Sequence, residues 1–247
     1  DRGVAVGAGA LDANTTGRRN VAVGYQCLTD NTEGEFNTAV GYKALENNTS
    51  ADHNAAFGYQ ALGANTTGAN NVAAGSLAMD SNTTGNNNTG VGDNALGSNT
   101  TASNNAAFGY ISLLSNTTGI NNTGCGSQTL DQNTTGSNNT GVGYNALGLN
   151  TTGSDNIAIN ALVNNTTGIR NVGAGSGALY TNTTSSNMVA LGYRALYTNG
   201  SGHSNVAVGA DSLRFNDGGT NNVAVGYNAL QNNTSAGSVT AVGSGAL

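Results

Sequence analysis

The chain has 247 residues, of which only 8% are charged, with 38 glycines, no proline and no tryptophan. Its net charge of -6 sets 13 acidic against 7 scattered basic residues. That excludes a nucleic-acid surface, which needs clustered Lys and Arg. No apolar run of about 18 residues is present, so no membrane insertion is expected. No signal peptide is visible, and a start at Asp1 reads as a processed chain or a fragment.

Low charge with abundant Gly, Asn and Thr would fit a disordered tract. A strict period argues otherwise. An apolar triplet opens at Val4, Val21, Thr38, Ala55, Val72, Thr89, Ala106, Thr123 and Thr140, and again at Ile157, Val172, Val189, Val206, Val223 and Thr240. The step is 17 residues except across 157-171, where the unit has 15 because a Gly-Tyr pair is missing between Ile159 and Asn160. The consensus reads V-A-V-G-Y-x-A-L-x-x-N-T-T-G-x-N-N. A short fixed period of this kind marks a solenoid. Seventeen residues cannot hold two helices and two turns, and V-x-V has period two. The expected fold is all-β: one parallel β-solenoid domain over 1-247, about 14.5 coils stacked about 4.8 Å apart. Each coil should carry two short strands and two turns.

Within the triplet, positions one and three share one face and position two the other. Where the third residue is Phe (Phe57, Phe108), the first is Ala (Ala55, Ala106). A conserved volume of this kind places Val4/Val6, Val21/Val23 and their equivalents inside the coil. They would meet a ladder of Leu11, Leu28, Leu45, Leu62, Leu96, Leu147 and Leu230, with Met79 as a substitute. The middle position is only ever small: Ala5, Ala22, Ala39, Ala56, Ala73, Gly90, Ala107, Gly124, Gly141, Ala158, Gly173, Ala190, Ala207, Ala224 and Ala241. Either it makes a tight contact within the chain, or it forms a seam between parallel copies. The seam is the preferred reading, and it predicts a homo-oligomer, a parallel trimer.

The Gly after the triplet fits a turn needing positive φ or close approach, with Asn160 taking that role in the short coil. The Asn of N-T-T-G also spells a glycosylation sequon. It persists where the sequon is broken, at Asn31-Thr32-Glu33 and Asn216-Asp217-Gly218. A stacked turn amide explains that better. A second Asn ladder runs from Asn20 to Asn222, broken at Met188 and Val239. Tyr25, Tyr42, Tyr59, Tyr110, Tyr144, Tyr193 and Tyr227 form an interrupted stripe. It reads as stacking that covers a turn or seam, or as a surface for glycans or a host protein.

No catalytic triad, metal motif or cofactor motif is recognisable, so no enzyme, metal or cofactor is expected. Cys27 sits at an Ala position and Cys125 at a triplet position. They lie too far apart for a disulfide and read as buried small hydrophobes.

The motif N-N-V-A-V-G at Asn221–Gly226, with N-V-A-V-G at Asn20–Gly24 and Asn205–Gly209, resembles the head repeat of YadA-type trimeric autotransporter adhesins. Similar repeats look like those of phage tail fibres and secreted bacterial surface proteins. The resemblance spans the chain, although the adhesin coil is shorter and lacks the N-T-T-G arm. It implies a left-handed β-roll that trimerises, located outside the cell or on a virion. The expected function is a structural or adhesive fibre module. Its partners would be copies of itself, end to end as well as side by side, and a host surface protein or glycan. An ice-binding solenoid using Thr ladders such as Thr15, Thr66, Thr83 and Thr117 is the alternative.

Overall fold

The computed structural model describes residues 3–247. They form two compact units divided after Gln128, each a parallel β-solenoid, with about fourteen turns between them. Each coil supplies one three-residue strand from its triplet. In the first unit these are β1 (Val4–Val6), β2 (Val21–Val23), β3 (Thr38–Val40), β4 (Ala55–Phe57), β5 (Val72–Ala74), β6 (Thr89–Val91), β7 (Ala106–Phe108) and β8 (Thr123–Cys125). In the second they are β9 (Thr140–Val142), β10 (Ile157–Ile159), β11 (Val172–Ala174), β12 (Val189–Leu191), β14 (Val206–Val208), β16 (Val223–Val225) and β17 (Thr240–Val242). Pairing is parallel and in register, with Val21 opposite Thr38 and Ala22 opposite Ala39.

The short coil does not slip this register. Ile157 stands opposite Thr140 on one side and Val172 on the other. Asn165 still donates to Asn150 at 2.8 Å, now 15 residues away. The missing pair is absorbed wholly between Ile159 and Ala161, where Asn160 takes φ 49°.

The strand faces are the reverse of the sequence expectation. Ala22, Ala39, Ala56, Ala73, Ala107, Ala158, Ala190, Ala207 and Ala224 are fully buried, and Ala241 nearly so. Gly90, Gly124, Gly141 and Gly173 are buried with them, while Ala5, in the first described coil, is exposed. The flanking Val, Thr, Phe and Ile point outward, with Phe57, Phe108 and Ile157 all exposed. The reason is the facing wall. A Cβ on Gly90 would lie 3.1 Å from Met79 Cγ, one on Gly141 2.5 Å from Thr129 Cγ2, and one on Gly173 3.0 Å from Ala161 Cβ. The Ser112 hydroxyl donates to the Gly124 carbonyl (3.2 Å). Glycine therefore appears where the preceding coil's Ala-Leu pair is enlarged or displaced: Met79, Ser112, Thr129, and the shortened coil at Ala161-Leu162. Cys27 and Ser212 enlarge the same site with Ala39 and Ala224 following, and like Ser112 and Thr129 each turns its polar atom onto a carbonyl. The small ladder is a tight contact inside one chain. It cannot be a seam between chains.

The opposite arm, G-Y-x-A-L, is not a second strand. Its Ala and Leu are consecutive and both buried, as at Ala44-Leu45 and Ala95-Leu96. Leu45 has φ 51° and Lys43 φ 56°, and the pattern recurs coil after coil. Alternation with left-handed residues swings successive N–H groups to opposite ends of the coil. Lys43 donates back to Tyr25 (2.9 Å), and Leu45 donates forward to Ala61 (3.0 Å). Inter-coil bonding survives without β geometry, at a backbone cost of about 1–2 kcal/mol per left-handed residue. Among the described residues only Thr198–Asn199 (β13) and Phe215–Asn216 (β15) pair as strands on this side.

Two buried amide columns hold the corners. In the first, each Asn donates to the Asn of the preceding coil and to its own turn: Asn48 Nδ2 reaches Asn31 Oδ1 at 2.8 Å and Ala51 O at 3.1 Å. In the second, each Oδ1 accepts the backbone N–H of the next coil's equivalent, as Asn20 does from Asn37 (2.9 Å), and Nδ2 donates to a carbonyl such as Gly34 O (2.7 Å). Where the column breaks, the backbone of Met188 and Val239 still uses the preceding amide. The Asn-Thr-Thr segments thus spell a turn, with their Asn side chains turned inward.

The glycine that follows the triplet, replaced by Asn160 in the short coil, is held by close approach wherever another coil follows. Gly24 has φ 134°, and an added Cβ would lie 2.2 Å from Gly41 O, so no side chain fits there.

Two substitutions test this interior by chemical denaturation. Asn99→Ala removes bonds to Asn82, Ala102 and Asn116 and should cost about 2–4 kcal/mol, through groups left partly unsatisfied. Ala224→Lys puts a charge into the core and should cost on the order of 4 kcal/mol or more. A stably folded Ala224→Lys chain would show the ladder facing outward.

Candidate interaction face

The inversion gives the outer face of the strand sheet an unusual composition. Its first and third triplet positions hold Val, Thr, Ala, Ile, Phe, Leu and Cys125, and no charged residue in any coil. Outward strand positions normally alternate to polar or charged residues. Cys125 belongs to this face and is exposed, against the expectation of burial, whereas Cys27 is buried as expected. Burial pushes the Cys27 thiol up from its ordinary value.

Beside the face runs the Tyr stripe, immediately after the triplet Gly. All seven residues are exposed, from 44% at Tyr42 to 69% at Tyr144. Tyr25, Tyr42 and Tyr59 stack in sequence, with centroids 5.4 and 5.3 Å apart and planes within 15°. The spacing of the coils imposes that stack. Tyr110 has Asp93 and Ser127 at the equivalent positions of adjacent coils, so it stands outside a stack. In the second unit Tyr144, Tyr193 and Tyr227 are likewise separated.

Charges gather at the corners. Arg19 lies over Phe36 at 4.9 Å, and Phe36 stacks on His53 at 4.8 Å. Lys43 pairs with Glu46 at 2.8 Å, which holds its ammonium above the ordinary value. Arg214 lies 3.5 Å from Asp211, too long and poorly aligned for a hydrogen bond. His203 lies in the other unit from His53 and accepts the Ser186 N–H at 3.1 Å. Among the described residues no three His, Cys, Asp or Glu side chains gather as a metal site. No helix is long and apolar enough to cross a membrane.

The first Thr of many N-T-T segments bonds to the next coil. The hydroxyls of Thr15, Thr66 and Thr83 donate to the Thr carbonyl of the next coil at 2.9, 3.0 and 3.0 Å. A single exposed Thr column remains, including Thr67 and Thr84.

Comparison with models of known protein families finds no match, and comparison with curated proteins finds no relative.

The outer face and its polarity were legible in principle. The small-residue position shrinks to Gly after Met79, Ser112, Thr129 and the short coil, a correlation only an internal contact explains. The pairing of Phe57 with Ala55 points instead to crowding on the outside, where both side chains stand.

Two carboxyls offer an electrostatic check. Burial pushes Asp80 and Asp131 above the ordinary 3.8. The folded chain then keeps these protons to higher pH than the unfolded chain, so each group costs stability as pH rises above about 3.8. Asp80→Asn and Asp131→Asn should each raise the melting temperature at pH 7 and give no gain at pH 3. A gain equal at both pH values would rule out a charge origin.

Proposed function

We propose that the chain is a non-enzymatic module of an extracellular fibre that self-associates in parallel through the outer face of its strand sheet. The observation that carries this is the charge-free apolar face, exposed at Val40, Phe57, Val91 and Phe108 in one unit and at Val142, Ile159, Leu191 and Val225 in the other. Contiguous exposed apolar surface marks an interaction site. The interior provides no competing role for these side chains, since the Ala, Leu and Asn columns already fill it. Parallel copies would set like rows against like rows about a rotation axis. Three copies, a left-handed roll and a place on a cell or virion surface are what the N-N-V-A-V-G resemblance adds. The seam assigned to Ala5 through Ala241 is thereby replaced by the triplet's flanking positions. The Tyr stripe flanks the same face and stays available to a host protein or glycan. An ice-binding role needs paired outward Thr columns, and most hydroxyls of one column are engaged in inter-coil bonds.

Light scattering after size exclusion tests the proposal. The parent chain should elute as an oligomer. The double variant Phe57→Lys/Phe108→Lys should elute as a folded monomer with a far-ultraviolet spectrum unchanged. A monomeric parent, or a double variant that keeps its oligomeric mass, would overturn it.

A further inference from the structure

The 15-residue coil leaves a gap in the Tyr stripe, and the gap is a cleft of about 550 Å³ in the second unit. Its walls follow from three local sequence departures. The short coil has no residue at the stripe position, the next coil has Ser176-Gly177 there, and the Leu+1 position carries Tyr180 and Tyr197 in place of the Gly, Asp or Glu common elsewhere. Tyr144 stands on one side and Tyr193 on the other. Tyr180 and Tyr197 stack at 5.1 Å with planes 5° apart. Gly177 has φ 74°, and its missing Cβ, which would lie 3.2 Å from Tyr197 and 3.3 Å from Arg194, leaves these two side chains room.

Arg194 supplies the charge. Its guanidinium carbon lies 4.7 Å from the Tyr193 ring centroid and 5.8 Å from that of Tyr197. Lys43 and Arg214 each have a carboxylate nearby, whereas Arg194 has none within 4.0 Å among the described residues. A cation held against two rings with no carboxylate beside it is set to receive an anion. Asn160 and Ser176 add polar side chains to the same walls.

We propose that this cleft binds a carboxylated pyranose, such as a uronic acid residue of a polysaccharide. Ligand pockets of about 300–1,000 Å³ combine aromatic walls with a few placed polar groups. A sugar ring presents an apolar C–H face that packs on Tyr, and its hydroxyls suit Asn160 and Ser176. A planar guanidinium takes a carboxylate through two parallel hydrogen bonds. The site lies within one chain, so its test is separate from that of self-association.

Calorimetric titration with trigalacturonate, its methyl ester and inorganic phosphate tests the proposal. The acid should bind. The ester and the Arg194→Gln variant should each weaken binding about tenfold or more, the loss expected for a charge-assisted hydrogen bond. A second variant inserts Gly-Tyr between Ile159 and Asn160, restoring a 17-residue coil and filling the gap while leaving every lining side chain in the sequence. It should keep its melting temperature and lose binding. Failure of the acid to bind at millimolar concentration would overturn the proposal. So would equal affinity for acid and ester, phosphate matching the acid, or full binding by the insertion variant.

Discussion

The structure depends on satisfying polar groups within a coil too thin for a large apolar core. Two columns of Asn side chains do this. Each amide is shared between its own turn and the next coil, as Asn48 shares with Asn31 and Ala51. An unmade buried hydrogen bond costs about 1–3 kcal/mol, so a coil gains most beside a neighbour that carries Asn at both corners, and the breaks at Met188 and Val239 keep the backbone half of the link. The apolar part of the interior is correspondingly narrow: one small residue against an Ala-Leu pair. That narrowness dictates the composition. Nothing larger than Ala occupies the strand side, and glycine replaces it after Met79, Ser112, Thr129 and the short coil.

Fold class, period and coil boundaries were legible because each depends on spacing, which a sequence displays directly. The Asn columns were legible because Asn31 and Asn216 persist where the sequon around them is lost. The orientation of the strand was misread because hydrophobicity points the wrong way in so thin a coil: Val is on the outside and Ala on the inside. The left-handed Leu of each coil was illegible. Leu45 carries no mark of φ 51°, since the position is neither Gly nor Asn. Its conformation comes from the alternating direction of the inter-coil bonds, a tertiary demand that overrides local preference. The cleft was half legible, for the missing Gly-Tyr pair was plain while the convergence of Arg194, Tyr180 and Tyr197 on the gap required the stacked geometry.

Charge distribution separates frame from surface. Among the described residues the charged side chains lie on the corners and the turn arm, and none occupies the outward strand rows. The strand side is therefore suited to permanent apolar contact, and the arms to recognition in water. The short coil shows how the two are uncoupled. Two residues are lost from an arm, the strand register beside it is unchanged, and the change is taken up by the outer contour and by Gly173 opposite the displaced Ala161-Leu162 pair.

The amide columns also set which errors such a chain can make. A slip of one residue puts Thr beneath Asn and strands both columns at once, so phase is policed sharply in spite of a low-complexity sequence. A slip of a whole repeat breaks almost nothing, because one coil is chemically a near copy of the next.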